Sequence, residues 1–411
     1  MENNITVEQI VNKLHPEGFI KRSEFHSLDV EQQIEYLKDI VDLCGELGMP
    51  LKIGFANEKG GTGKTTIALN VAYMLGQFGI KTLLQDNDPQ ASATTLTGAD
   101  KEVTKNVAFA KRLNDIPEVE EIYKDLDNFQ PIDLINTDIN KEFDREYVGY
   151  SIDDALTSMI MNDGVVDQET LDNVVMTPMY VTQVQDTDEN GKKKRDESGK
   201  IIWKDTLVDY GFDLIPSSSG LFTYGVNMGI VSVQKKLKIG TGKQLEACME
   251  QILEHEYNQG NKYGIVVCDL APSLDIVTLN GINFCKDGII GVITANFEVI
   301  NGIFNIMSSI KLVVGYTKDH SGMPLIITNR YTKKNKLDQI MTYDLIQKTY
   351  KLRAAQNRIS NMVGDIQKAH NSHLLLCQAS NKAYEEFKKL TAEVLYEVIY
   401  TRIERDKKEK E

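Results

Sequence analysis

A short stretch that combines glycines with lysine and threonine has the composition of a phosphate-binding loop. Residues 57–66 read NEKGGTGKTT and stand between an apolar run and a helical pattern. Glycines let the backbone bring its N–H groups close to phosphate oxygens, and the first turn of the following helix adds the positive end of its dipole. The spacing predicts that Lys64 contacts the β- and γ-phosphates of a nucleotide and that the Thr65 hydroxyl ligates Mg²⁺.

The loop departs from the general phosphate-binding pattern at its first position. That pattern has a glycine separated by four residues from the Gly-Lys pair, whereas this chain has Glu58 there, followed by a second lysine, Lys59. A lysine in a polar loop is ordinarily a solvated surface charge. Because one lysine is enough to hold the phosphates within a single subunit, the second one indicates a further role beside the glycines.

Three aspartates follow apolar runs that are typical of buried strands. Asp86 and Asp88 come after residues 81–85, and Asp269 ends the run that begins at residue 264. The carboxyl ends of parallel strands meet at one edge of a sheet, where ligands bind. We expect Asp86 and Asp269 to hold Mg²⁺ through water, and Asp88 to orient and deprotonate an attacking water. A surface turn is the alternative explanation for the Asp-Asn-Asp-Pro run.

The elements that must position these residues alternate between strand and helix patterns. An apolar run at 53–56 predicts a strand before the loop, and the apolar spacing over 67–75 predicts a helix after it. Further apolar runs predict strands at 81–85, 213–217, 264–269, 289–293 and 325–328. The sequence therefore predicts an α/β fold, with a mostly parallel twisted sheet, helices on both faces, and the nucleotide at the carboxyl ends of the strands.

Together these motifs resemble the ParA/MinD class of P-loop ATPases, which carries a deviant Walker A box. The matching segments are KGGTGKT at 59–65, DNDPQ at 86–90 and DLAPSL at 269–274. The resemblance implies a P-loop NTPase-like fold, Mg²⁺-dependent hydrolysis of ATP, and a Lys59 that reaches across a dimer interface to the ATP of the partner subunit. The predicted catalytic residues are Lys59, Lys64 and Asp88. The loop residues predicted to bind ATP are Lys59, Gly60, Gly61, Thr62, Gly63, Lys64, Thr65 and Thr66.

The resemblance covers two parts of the chain and sets the predicted domain boundaries. It runs over about 51–100 and 210–300, and more weakly to the C-terminus. We predict a helical extension over 1–50 and a ParA-like ATPase domain over 51–411, with a long insert at about 100–205.

The extension has two clear helical patterns, at 7–14 and 29–47. The favoured interpretation is that they pack on their own domain or on a dimer mate. The alternative is a reduced helix-turn-helix that binds operator DNA, as longer plasmid ParA proteins are said to carry. The segment is short for that role and has no helix rich in Arg, Asn and Gln, so we favour packing.

Three other segments carry patterns of their own. Residues 181–185 and 201–208 are predicted to pair as strands, with a polar connection that includes a solvated basic run at 192–195. Residues 374–377 are interpreted as the last strand, and 385–403 as a closing amphipathic helix.

The C-terminal third holds candidate base and DNA contacts. Asn329 ends a predicted strand, and its position resembles that of a base-reading residue in related ATPases, although a helix cap explains it equally well. ParA proteins are said to bind non-specific DNA through this region, where the chain is locally basic. The candidate DNA-binding residues are Lys333, Lys334, Lys336, Arg353 and Arg358.

Composition limits the environment and the kind of DNA contact. The formal net charge of the 411 residues is −14, so DNA binding requires a local basic patch rather than the whole surface. The five cysteines are scattered, which fits reduced thiols in the cytoplasm. No apolar run approaches the roughly 20 residues that span a bilayer, so we expect no membrane partner.

The resemblance implies a partition function. We expect an ATP-induced homodimer that binds non-specific DNA, associates with the nucleoid, and is stimulated to hydrolyse ATP by a ParB-like centromere-binding protein. Alternatives are a MinD-like regulator that acts on membranes, a repressor of its own partition operon, and a tyrosine autokinase of the same class.

Overall fold

A six-stranded parallel sheet forms the centre of the protein. The computed structural model describes residues 5–97, 99, 150–186, 193–195, 198–218, 220–221, 243–273, 275–294, 297–314, 322–332, 340, 346–348, 352–371 and 374–408. The described strands are β1 Leu51–Ala56, β2 Thr82–Asn87, β3 Met179–Gln185, β4 Trp203–Asp209, β5 Asp213–Ile215, β6 Ile265–Leu270, β7 Gly288–Ile293 and β8 Ile326–Thr328. Six of them form the central sheet, in the order β5-β2-β6-β1-β7-β8, and all its strand pairs are parallel. Strands β3 and β4 form a separate two-stranded sheet.

Helices cover both faces of this sheet. Side chains alternate along the strands, so that Ile265 and Val267 of β6 belong to the core on one face, and Val266 and Cys268 to the core on the other. The described helices are α1 Val7–Leu14, α2 Arg22–Phe25, α3 Val30–Glu46, α4 Lys64–Gln77, α5 Ser92–Leu96, α6 Ile152–Met161, α7 Gln168–Asn173, α8 Gln244–Asn258, α9 Ile276–Phe284, α10 Phe297–Val314, α11 Val363–Asn371, α12 Leu376–Ala379 and α13 Asn381–Lys408. The first core contains α1, α3, α4 and α13, and the second contains α6, α8, α9 and α10. The predicted α/β class with a mostly parallel sheet is confirmed.

The N-terminal helices pack on the closing helix α13. Arg22 donates two hydrogen bonds to the buried Glu397, of 2.6 and 2.8 Å, and the Tyr396 hydroxyl donates to the Ile20 carbonyl at 2.8 Å. The rings of Phe25 and Tyr396 stack with centroids 4.3 Å apart. The extension thus packs into one core with the central sheet, and the domain boundary at residue 50 stays a prediction.

The segments outside the phosphate site have mixed outcomes. Strands β3 and β4 pair antiparallel from Met179–Asp209 to Gln185–Trp203, as predicted. The prediction of a last strand at 374–377 is wrong, because α12 forms there and the Gln378 side chain accepts a hydrogen bond from the Leu375 N–H at 2.8 Å. Residues 101–149 of the insert lie outside the described residues. Within the described part of the chain, no helix combines the length and the apolar character needed to cross a bilayer.

Candidate functional site

The phosphate loop joins β1 to α4 at the carboxyl edge of the sheet. Gly63 is the N-cap of α4 and has a left-handed backbone, φ 88°, which glycine adopts without strain. A Cβ at Gly63 would lie 2.2 Å from the amide nitrogen of Asn329. A Cβ at Gly60 or Gly61 would meet nothing within 4 Å, so the middle of the loop is open to a ligand.

Lys64 begins α4 and points into the protein. It is only 7% exposed, and its pKa is lowered by burial, an effect that the nearby carboxylates of Asp269 and Asp88 oppose. The two carboxylates offset part of the cost of burying the ammonium, which stands at the helix start where the loop would bind an anionic ligand. The contact of Lys64 with the β- and γ-phosphates stays a prediction.

Asp86 is fully buried at the end of β2 and is surrounded by hydrogen-bond donors. Its Oδ2 accepts from the N–H and the hydroxyl of Thr94, at 2.9 and 2.8 Å, and its Oδ1 accepts from the N–H of Asp88 at 3.1 Å. Burial raises its pKa to about 6, against the effect of these hydrogen bonds. The carboxylate therefore organises the turn that follows β2, and its predicted contact with the Mg²⁺ hydration shell remains a prediction.

Asp269 lies beside Asp86, since the two residues are register partners in the neighbouring strands β6 and β2. It is also fully buried, yet neither of its carboxylate oxygens has a hydrogen-bond partner among the described residues. Burial raises its pKa well above the usual range, and Asp86 adds to the rise. The Thr65 hydroxyl is near enough to oppose this rise in pKa, without the geometry of a hydrogen bond. Two buried acceptor oxygens without donors fit a cation or its bound water.

The two remaining predicted catalytic residues have opposite exposures. Asp88 is 7% exposed and accepts a hydrogen bond from the Gln90 N–H at 2.9 Å, which holds its carboxylate close to the loop. Lys59 is exposed on the loop. The structure therefore brings Asp88 together with Lys64, and leaves the Lys59 side chain on the surface of the same loop.

The Asn329 side chain contacts the backbone of the phosphate loop. Its amide nitrogen donates to the Thr62 carbonyl at 2.8 Å, and its oxygen accepts from the Arg330 N–H at 2.9 Å. No helix begins at Asn329 within the described residues, so the capping alternative has no support there. The amide supports the loop, and the adenine contact stays a prediction.

The candidate DNA-binding residues do not form one described patch. Lys333, Lys334 and Lys336 lie outside the described residues. Arg353 forms an ion pair with Glu397, at 3.2 Å, and the Arg358 guanidinium lies 4.5 Å from the centroid of the Tyr331 ring.

Sequence reasoning missed two side chains that support the site. Thr94 holds Asp86, and its hydroxyl also accepts from the Ser217 N–H at 2.9 Å. Asn57 is buried and bonds both to β7 and to the loop backbone. The run of small hydroxyl residues after the Asp-Pro turn is a signal for Thr94, whereas nothing in the sequence distinguishes Asn57 from other polar loop residues.

The site fits a magnesium nucleotide by the chemistry of its donors. The loop offers backbone N–H groups and Lys64 to phosphate, and Thr65 and Asp269 offer oxygens to a hard cation. The described residues contain no cluster of three or more His, Cys, Asp or Glu side chains able to enclose a metal by themselves.

Comparisons with known proteins bear on the family to which this chain is similar. Residues 51–176 match the family model described as an AAA domain. Over 47 residues the chain is 51% identical to the chromosome-partitioning ATPase Soj of Thermus thermophilus, an alignment that covers 11% of this chain and 19% of that protein. Over 65 residues it is 40% identical to the chromosome partitioning protein ParA of Myxococcus xanthus, covering 16% of this chain and 23% of that one.

Two limits apply to these similarities, one from the length of the alignments and one from the identity of the solved structures. The chain spans about a fifth of the length of these two relatives, in alignments that confirm the resemblance to ParA-type ATPases. The solved ATP complex of a McdA variant from Cyanothece is similar with a TM-score of 0.50 and 15% identity, covering 85% of this chain and 96% of that one. At that identity the structural likeness establishes the fold alone.

Proposed function

We propose that this ParA-type P-loop ATPase partitions DNA by an ATP-controlled cycle of dimerisation. The observation that carries the proposal is the combination of a buried Lys64, facing Asp269 and Asp88, with an exposed Lys59 on the same loop. The first group of residues suits binding and hydrolysis within one copy of the chain. The exposed lysine suits contact with a second copy.

Each residue of the site has a distinct role in this cycle. The loop N–H groups and Lys64 bind the β- and γ-phosphates. Asp88 orients the attacking water and accepts its proton. Thr65 and Asp269 would hold the hydrated metal, and Asp86 would contribute less, through water. Mg²⁺, when bound with ATP, neutralises charge on the transferred phosphoryl group.

Lys59 supplies the link between nucleotide and assembly. Two ATP-bound copies face each other, and each Lys59 contacts the phosphates bound by the partner, in the manner of an arginine finger. Such charge support is worth ~10³–10⁵ in rate in related phosphoryl-transfer enzymes. The proposed closed dimer binds non-specific DNA through a local basic patch, and a ParB-like centromere-binding protein stimulates hydrolysis and release. On this proposal the protein is cytoplasmic and associates with the nucleoid when ATP is bound.

Nucleotide-dependent dimerisation is the direct test. Light scattering after size exclusion is expected to find dimers with Mg²⁺ and a non-hydrolysable ATP analogue, and monomers with ADP. Lys64→Ala is expected to lose nucleotide binding, whereas Lys59→Ala is expected to bind the analogue but to dimerise far more weakly than the wild type, so that its dimers form only at high protein concentration. A wild-type chain that stays monomeric with the analogue, or a Lys59→Ala variant that dimerises normally, contradicts the proposal.

DNA binding requires a separate measurement. In gel shifts with a duplex of arbitrary sequence, we expect retention only with the ATP analogue, and a steep loss between 50 and 200 mM salt because phosphate contacts release counterions. Binding that is indifferent to both nucleotide and salt contradicts an electrostatic patch formed by the dimer. Sedimentation with anionic liposomes instead of DNA would favour the MinD-like alternative.

A further inference from the structure

The amide of Asn57 connects the sheet to the backbone of Lys59. Asn57 follows β1 directly and is completely buried. Its Nδ2 donates to the Val292 carbonyl of β7 at 2.8 Å, and its Oδ1 accepts from the Lys59 N–H at 2.8 Å. One side chain therefore fixes the backbone at the start of the loop relative to the neighbouring strand.

Helix α10 holds the same end of the loop from outside. A Cβ on Gly302 would lie 2.4 Å from Oδ1 of Asn57 and 3.4 Å from the Lys59 nitrogen, so the helix backbone approaches closely only because this residue is glycine. The Asn305 amide donates to the Glu58 carboxylate. The backbone from Asn57 to Lys59 is thus held between β7 and α10, while the Lys59 side chain stays exposed.

The other end of the loop has a different support. Asn329, which follows β8, holds the Thr62 carbonyl, and α4 fixes Lys64. Between the two ends, Gly60 and Gly61 have open space around them. A flexible pair of glycines joins two anchored ends, so a change at one end need not be transmitted to the other.

We propose that Asn57 is a positioning residue that sets the direction of Lys59 and thereby controls dimerisation separately from nucleotide binding. This inference rests on the proposed function, because Lys59 acts on a second copy of the chain. Asn57 is completely buried, so it acts from within the protein rather than on the surface that would meet a second copy. Its effect is exerted through the Lys59 N–H, which donates to the Asn57 side chain.

The experiment measures two constants for each variant. The affinity of the monomer for a fluorescent, non-hydrolysable ATP analogue with Mg²⁺ measures the nucleotide binding that depends on Lys64. The dimer dissociation constant, from sedimentation at saturating analogue, measures the assembly that depends on Lys59. Thermal unfolding of each variant identifies those that are folded.

Asn57→Ala is expected to raise the dimer dissociation constant about tenfold or more, since a buried carbonyl loses its donor and the Lys59 backbone is released. Nucleotide affinity is expected to change much less. Asn329→Ala is the matched control at the other end and is expected to give the reverse, a weakened nucleotide affinity with a smaller effect on dimerisation at saturation. Gly302→Ala leaves Asn57 in place but crowds its oxygen. It is expected to weaken dimerisation in the same way, and it serves as the test if Asn57→Ala does not fold.

A double variant separates positioning from general damage. Once Lys59→Ala has removed the side chain, Asn57→Ala is expected to weaken dimerisation no further. Losses that multiply in the double variant overturn the inference, as does an Asn57→Ala variant that dimerises like the wild type. If the wild type itself does not dimerise with the analogue, the proposed function fails, and the inference fails with it. A wild type that dimerises normally while Asn57→Ala has no effect removes the inference alone.

Discussion

The carboxyl ends of β2 and β6 lie side by side, and each carries a fully buried aspartate in the same register. Three donors surround Asp86 at the end of β2, two from Thr94 and one from the Asp88 backbone. Neither oxygen of Asp269, at the end of β6, accepts a hydrogen bond within the described residues, although the Thr65 hydroxyl lies near it. The same residue type at equivalent positions therefore has two different surroundings.

This difference separates a structural carboxylate from one kept for a ligand. Hydrogen bonds to Asp86 use its lone pairs to fix the turn that carries Asp88, whereas Asp269 has both oxygens available to a hydrated cation. We therefore expect changes at the end of β2 to affect either the attacking water, through Asp88, or folding, through Asp86. Changes at the end of β6 should affect the magnesium requirement.

The largest effect is expected at Asp88. Asp88→Ala should bind the ATP analogue and dimerise, but hydrolyse ATP ~10²–10⁴ times more slowly, because the general base is lost. Single-turnover hydrolysis and analogue titration measure the two quantities. Asp88→Asn is the control, since its oxygen can still accept from the Gln90 N–H. If Asp88→Asn hydrolyses ATP normally, the carboxylate has only a structural role.

Exchanging either buried aspartate for asparagine tests whether Asp86 and Asp269 differ in role. Asp269→Asn is expected to raise the Mg²⁺ concentration needed for half-maximal turnover by about 10–100-fold, as for groups that orient a metal through water. Asp86→Asn is expected to act mainly on folding, because its amide nitrogen would face a donor. Magnesium titrations of turnover measure the magnesium requirement of both variants, and urea unfolding measures their stability. An equal rise in magnesium requirement for the two variants would remove the distinction between them.

A smaller effect is expected at Thr94. Thr94→Val removes the hydroxyl that donates to Asp86 and accepts from the Ser217 N–H, so the free energy of unfolding should fall by about 1–3 kcal/mol. Turnover per folded molecule should change far less than in Asp88→Ala. Thr94→Ser keeps the hydroxyl and should retain most of the stability in urea unfolding. Unchanged stability with a strong loss of turnover would instead place Thr94 in the hydrolytic step.

Several features of the fold were predictable because they depend on local pattern. The apolar runs before Lys59, Asp86 and Asp269 predicted three strands at nearly their observed bounds, and the alternation of elements predicted the parallel sheet. The pairing of β3 with β4 followed from two strand-like runs around a polar connection. The run at 374–377 was misassigned, since four apolar residues suit a strand or a short helix equally, and the Gln378 contact decides between them.

The sequence by itself determined the loop, the order of strands and helices, and the acids placed after strands, because these depend on residue type and spacing along the chain. Only the tertiary structure decided which acid is surrounded by donors, since Thr94 and Asp269 reach the site from different elements. It also decided that Asn57 joins β7 to the Lys59 backbone. The Asn57–Val292 hydrogen bond and the Asp86–Asp269 pair join residues far apart in sequence, where no local spacing records which residue meets which.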